Sequence, residues 1–261
     1  MAETYNYPDY EEVLEIGDMP GDSIRIAKIG HEDKAKLIFP LLMEELKKNN
    51  NSKTVVSIYG GSGVGKTGIA HLISHYLNAN GIKAYTMSGD NYPHRIPKYN
   101  DMERERIYEE LGRDGLVEYL GSELEINYKE VNEIIRLFHE GEDSIYLRRL
   151  GRDERALFYE KVDFSDTQVL ILEWTHGNNA NLKGIDIPIF LGSTPQETLE
   201  YRILRARDAA PDSPFVTMVL EIEQNLLNSQ ASTAKWIISK AGEVISDKEF
   251  MERVNESKTN A

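Results

Sequence analysis

One stretch of eight residues constrains this chain more than any other. Gly60-Gly61-Ser62-Gly63-Val64-Gly65-Lys66-Thr67 matches the pattern G-x-x-x-x-G-K-[ST]. With ordinary Gly, Lys and Ser/Thr usage, the four fixed positions recur by chance in roughly one chain in a hundred of this length. Context reduces that further. Residues 54–59 (Thr-Val-Val-Ser-Ile-Tyr) are β-branched and apolar, as a strand requires, and a helix is expected to run from the loop to about Leu77. Between strand and helix, glycines let backbone amides turn inward around phosphate oxygens, and the helix N-terminus adds partial positive charge. The loop Gly60, Gly61, Ser62, Gly63, Val64 and Gly65 is therefore expected to bind a nucleoside triphosphate. Lys66 would reach the β- and γ-phosphates, Thr67 would ligate Mg²⁺, and Gly68 would continue the close approach. The competing reading is a tight glycine turn with an exposed lysine.

Composition narrows the partners. Thirty Lys+Arg against 44 Asp+Glu give a net charge of -14. Phosphate-backbone and anionic-membrane binding depend on clustered cations, so nucleic acid and membrane are not expected partners. The chain has no cysteine, which excludes disulfides, zinc–thiolate sites and thiol nucleophiles. No apolar run approaches the ~20 residues of a membrane span, and the N-terminus lacks a secretory pattern, so the expected location is cytoplasmic.

The expected fold is α/β: three layers, a mostly parallel sheet flanked by helices, with an acidic helical insertion. Residues 1–24 hold seven acidic residues and no Lys or Arg. They read as an acidic, partly mobile segment able to dock through its tyrosines, ahead of a single glycine-loop domain over 25–261. Residues 23–29 alternate as a half-buried strand does, and 33–48 read as a helix. A second strand is expected over 83–87, paired in parallel with the first. Residues 100–144 carry 14 acidic and 5 basic residues. Val131, Ile134, Ile135 and Phe138 recur at helical spacing there, so this insertion is read as helical with one buried stripe and a solvated acidic face. Further strands are expected over 168–173, 187–191 and 236–239, and helices over 195–208, 216–228 and 247–254.

Gly60–Thr67, Asp90 in Ser88-Gly89-Asp90-Asn91-Tyr92, and Glu173 closing Leu170-Ile171-Leu172-Glu173 together resemble the uridine kinase and phosphoribulokinase family of P-loop kinases. Arg202, Arg205 and Arg207 fall where that family places its lid arginines. Adenylylsulfate kinases, a neighbouring family, share Gly-Asp-Asn at the corresponding strand end. The resemblance covers about residues 54–240. It implies an ATP- and Mg²⁺-dependent kinase acting on a nucleoside, a sugar or a sugar phosphate.

The chemistry agrees with that implication. Phosphoryl transfer needs positioning, charge neutralisation and a group near the attacking hydroxyl. Asp90, at the carboxyl edge of the sheet, can orient an acceptor alcohol and take its proton. Glu173 ends an apolar strand where a carboxylate is costly unless a cation or partner compensates it, which suits a metal ligand. The bland alternatives are an Asx turn at Asp90 and an arginine-paired edge residue at Glu173. In the family this Glu is commonly followed by Gly; here Trp174-Thr175-His176 follows. Arg202 and Arg205 would stabilise transferred charge and Arg207 would contact the nucleotide. Tyr92, His94, Arg95, Arg149, Arg152 and His176 are the candidate acceptor contacts, with Arg104 and Tyr108 behind them. Arg148, Arg149, Arg152 and Arg155 cluster in eight residues, which leans toward an anionic acceptor or toward salt bridges. Expected partners are a nucleoside triphosphate and a small hydroxylated substrate, with a homodimer left open. The competing function is an NTP-gated switch using the acidic insertion and N-terminal tyrosines as a contact surface.

Overall fold

The structure, a computed structural model, describes residues 4–10, 13–14, 24–25, 28–49, 53–151, 153–205 and 213–259. A two-residue antiparallel pair, β1 (Val13–Leu14) and β2 (Ile24–Arg25), precedes a π turn at Lys28–Glu32 and helix α1 (Asp33–Lys48). Of the strand expected over 23–29, Ile24–Arg25 forms β2 and residues 28–32 coil into the start of α1, while residues 23, 26 and 27 lie outside the described residues. Then follow β3 (Thr54–Gly60), α2 (Lys66–Ala79), β4 (Ala84–Ser88), α3 (Pro97–Tyr119) and α4 (Tyr128–Glu140). After α4 come β5 (Ser144–Arg149), β6 (Phe158–Asp163), β7 (Val169–Trp174), β8 (Ile187–Gly192) and α5 (Pro195–Arg205). The chain closes with α6 (Pro214–Ser229), β9 (Trp236–Ser239), β10 (Val244–Ile245) and α7 (Asp247–Thr259). Pro214 opens α6 behind a Ser213 cap that accepts from the Val216 amide at 3.2 Å.

The central sheet has the order β10-β9-β8-β3-β7-β4, parallel except for β10. β3 and β4 are parallel but do not pair directly. β7 lies between them, with Glu173 level with Ile58 on one side and Ser88 on the other. Alternation along β3 sorts the core into layers. Val56 and Ile58 face α1 and α2, joining Ile38, Phe39, Leu42, Ile69 and Ile73. Val55 faces the other side with Leu170 and Leu172, against α4. Tyr59, stacked on Phe190, continues that side toward α6 and α7.

The acidic insertion divides. α4 presents Val131, Ile134, Ile135 and Phe138 to the sheet, all buried, so it is one of the covering layers rather than an addition to them. α3 breaks at Gly112 (φ 67°) and buries only Asn100, Leu116 and Tyr119. Arg106 bridges Glu103 and Glu110, and Arg136 bridges Glu133 and Glu140, on solvent-facing turns. Much of the acidic charge therefore lies on a solvated face that its arginines neutralise only in part.

The sequence reading missed the β5–β6 hairpin, an antiparallel pair separate from the main sheet. Asn91, fully buried, fastens it to the end of β4: its Oδ1 accepts from the Leu150 amide at 2.8 Å. Asn91→Ala leaves that buried amide without its acceptor. We expect a loss of about 1–3 kcal/mol in denaturant unfolding, with the midpoint shifted and the slope unchanged.

Candidate active site

Sheet register builds the site. β3 runs into the glycine loop, and its neighbours β8 and β7 leave on opposite sides, which makes this the switch point where α/β sheets bind ligands. Because Ser88 and Glu173 are register partners, the Ser88 hydroxyl donates to Glu173 Oε1 at 2.6 Å. Thr67, in the first turn of α2, donates to Glu173 Oε2 at 3.0 Å. Lys66 folds over the loop and donates to the carbonyls of Gly60 and Gly61 at 3.0 and 2.9 Å. The Val64 side chain enters the core, leaving its backbone to the loop. Arg202 of α5 is buried, and the space above Gly63 (φ 81°) is filled by Arg202 Cγ and Thr198. Gly61 and Ser62 share a water-sized cavity of about 10 Å³ with Thr194, Thr198 and Glu223.

Glu173 is 4% exposed. Burial pushes its carboxyl above the ordinary Glu range and the Asp90 charge adds to the rise, while Lys66 and the Ser88 and Thr67 hydroxyls oppose it. Such a carboxylate, already hydrogen-bonded to a hydroxyl suited to ligating Mg²⁺, fits a cation site. Asp90, by contrast, is exposed at the strand end. Among the described residues no group of three or more His, Asp or Glu side chains forms a self-sufficient metal site. Thr67 and Glu173 can therefore supply only part of a cation's ligands, as a metal carried in on phosphate oxygens requires.

Around His176, whose ring feels the charge of Asp90, the structure adds a buried polar cluster. Glu125, fully buried, accepts from Arg104 Nε at 2.7 Å, Gly121 N at 2.7 Å and Asn100 Nδ2 at 3.0 Å. Burial alone would raise the Glu125 carboxyl, but Arg104 and these donors outweigh it and hold it below its ordinary range. Arg104 also reaches Glu223 on α6 at 3.4 Å. His176 is buried edge-on to Trp174, with ring centroids 5.4 Å apart. Burial lowers its pKa against the opposing fields of Glu125, Glu223 and Asp90.

Several expected positions move. Tyr92 is not an acceptor contact, because its ring is fully buried in the core and its hydroxyl faces Met87 Sδ at 3.7 Å. At Gly68 the missing Cβ makes room for the His31 ring, since a Cβ there would lie 2.5 Å from His31 Nδ1. His94 and Arg95 turn to the 119–125 loop, with His94 Nε2 3.0 Å from Glu123 O and Arg95 donating to Tyr119 Oη and Glu103. Arg149 is buried in the hairpin, where it donates to Glu160 at 2.9 Å and Tyr85 at 2.8 Å. Arg148 donates to Pro93 O at 2.8 Å, and Arg155 pairs with Asp153. Arg152, Arg207 and the Arg205 side chain lie outside the described residues. Ser88, Glu125, Glu223 and His31 escaped the sequence reading, since each acquires its role through a contact with no local pattern. Trp174, which replaces the family's usual glycine, is accommodated by Gly89, where any Cβ would overlap the indole.

Comparisons with known proteins fit this geometry. The family model for adenylylsulphate kinase matches residues 52–119, from the glycine loop through Asp90 to the end of α3. Among solved structures, phosphoribulokinase from Rhodobacter spheroides aligns with a TM-score of 0.56 at 17% identity, over 73% of this chain and 71% of that one. A possible uridine kinase from Bacillus stearothermophilus aligns with a TM-score of 0.54 at 15% identity, over 79% and 97%. The chain has the P-loop kinase fold. A bifunctional α-galactosidase/sucrose kinase, AgaSK, of Mediterraneibacter gnavus is 48% identical over 207 residues, which are 78% of this chain and 22% of that protein. The chain thus spans 22% of the length of that relative. Among the described residues, no helix is long and apolar enough to cross a membrane.

Two outcomes follow from the charges set into this P-loop kinase fold. Arg104→Ala strands the fully buried Glu125, and we expect a loss of about 3–5 kcal/mol by chemical denaturation. The second concerns Glu173, which keeps a proton in the folded state that the unfolded chain releases near its ordinary value of 4.5. Between that pH and the raised folded value, stability must fall as pH rises. Thermal melts of nucleotide-free protein should show this component, and Glu173→Gln should remove it.

Proposed function

We propose that this chain is an ATP-dependent kinase that transfers the γ-phosphate to a hydroxyl of a free sugar, with a disaccharide of the sucrose class as acceptor. The observation that carries this reading is the convergence of Lys66, Thr67, Glu173 and Asp90 on one edge of the sheet. The sucrose kinase relationship at 48% identity supports the acceptor class.

In this reading the loop amides and Lys66 cradle the β- and γ-phosphates. Thr67 and Glu173 would hold Mg²⁺, which neutralises charge on those phosphates when bound. Arg202, buried over Gly63, contributes a fixed cation on the lid side. Asp90 orients the acceptor hydroxyl. As the acceptor oxygen bonds to the γ-phosphorus and the bridging oxygen departs with ADP, the hydroxyl proton passes to Asp90. Burial of Glu173 beneath Thr67 and Ser88, with Asp90 exposed, supports dividing metal holding and proton acceptance in this way.

Of the four clustered arginines that leaned toward an anionic acceptor or toward salt bridges, Arg152 lies outside the described residues, and the partners of Arg148, Arg149 and Arg155 support a neutral acceptor. Arg95, Arg104, Arg148, Arg149 and Arg155 all have carboxylate, hydroxyl or carbonyl partners within the protein. An acceptor phosphate would have to break those pairs, whereas sugar hydroxyls can join such a network as donors and acceptors.

An ADP-release assay over sucrose, other free sugars, nucleosides and sugar phosphates tests the proposal. Turnover of free sugars is expected; turnover confined to nucleosides or phosphorylated sugars overturns the acceptor assignment. Lys66→Ala should abolish transfer, and Asp90→Asn should lower kcat at least ~100-fold. Glu173→Gln should raise the Mg²⁺ concentration needed for half-maximal activity; an unchanged Mg²⁺ titration removes the metal role.

A further inference from the structure

Gly68 poses a physical question. A glycine inside a helix costs about 0.5–1 kcal/mol relative to alanine, and the loop pattern ends one residue earlier, at Thr67. The reason at this position is the His31 ring. An added Cβ on Gly68 would lie 2.5 Å from His31 Nδ1 and 2.9 Å from Cε1. The opposite edge of the ring meets Gly65, the left-handed residue (φ 93°) that caps α2, where a Cβ would lie 2.5 Å from Nε2. One imidazole thus fills the space left by two glycines, on the outer side of the turn that aims the phosphate-binding amides. Burial and neighbouring Lys34 both lower the His31 pKa, so the ring meets the loop uncharged at neutral pH.

The ring is held from a distance. Asn6 exchanges two hydrogen bonds with Asn80 at the C-terminal end of α2, at 2.9 and 2.8 Å. Tyr7 packs edge-on to Tyr76 and Phe39, and Tyr5 packs on Phe39. His75 meets the Asp9 carbonyl at 3.1 Å. Tyr10 then donates to Glu32 at 3.0 Å, the residue beside His31. Residues 4–10 therefore run along α2 from its last turn toward its first, and end at the π turn that carries His31.

We propose that His31 is a positioning residue for the triphosphate site, through which the N-terminal segment fixes the angle of the glycine loop on α2. The inference rests on the kinase reading above and adds a residue that the glycine-loop pattern does not contain. A misplacement of about an ångström in a binding loop is enough to cost up to ~100-fold in function, and a collision between Gly68→Ala and the His31 ring demands a shift of that order.

The test is a double-mutant cycle in the full chain, read as the Kd of a fluorescent ATP analogue and as KM for ATP and for the sugar. Gly68→Ala should weaken analogue binding and raise the ATP KM at least ~10-fold with the sugar KM unchanged. His31→Ala should weaken binding by a smaller factor, and His31→Ala with Gly68→Ala should recover most of the Gly68→Ala loss, a strong non-additivity. Gly68→Ala binding the analogue as wild type does, or a double variant no better than Gly68→Ala alone, overturns the role of His31. Gly68→Ala that merely lowers the folded fraction, with ATP KM unchanged, also overturns it. A wild-type chain that fails to bind the analogue overturns the kinase reading itself, so the two failures are separable.

Discussion

The buried carboxylate of Glu173 is the constraint around which the rest of the site is arranged. A charge at the end of an apolar central strand is costly, and the fold answers with a hydroxyl from each side: Thr67 from α2 and Ser88 from β4. Those contacts require β7 to lie between β3 and β4, which is what the strand order provides. The same residue therefore joins the phosphate loop, the strand bearing Asp90 and the central strand between them. Its raised proton affinity marks this corner as one where a cation would relieve the cost of burial.

The legible parts of this chain were those written locally. The glycine loop between strand and helix, the 33–48 helix, the 236–239 strand and the buried stripe of α4 all follow from periodicity or fixed spacing, and they appear where those signals place them. Sequence order does not encode spatial order, so β3 and β4 were expected to pair directly, although β7 separates them. The β5–β6 hairpin was hidden because β6 is mostly exposed and β5 ends in Arg148 and Arg149, which read as part of a cationic cluster for an anionic acceptor or for salt bridges. Tyr92 was placed in the site by its adjacency to Asp90, but the turn after Asp90 directs its ring into the core. Glu125, Glu223 and His31 meet their partners only through tertiary packing, for which a single sequence carries no pattern.

Charge is managed in two distinct ways. On α3 and α4 the acidic excess stays in water and carries its own arginines, at little energetic consequence. Around His176, however, Arg104, Glu125 and Glu223 are drawn out of water and set against one another. That arrangement fixes donors and acceptors in a low-dielectric setting while leaving little net charge, which suits recognition of hydroxyl groups better than attraction of anions.

The contact between Gly89 and Trp174 has a practical side. The chain has two tryptophans. Trp236 is half-buried on β9, while Trp174 is sealed between Gly89 and His176, next in sequence to Glu173. Any event that shifts the end of β4 against β7 changes the surroundings of that indole first. The molecule thereby contains its own optical gauge, an emission signal tied to the corner that holds Glu173 and readable without a label.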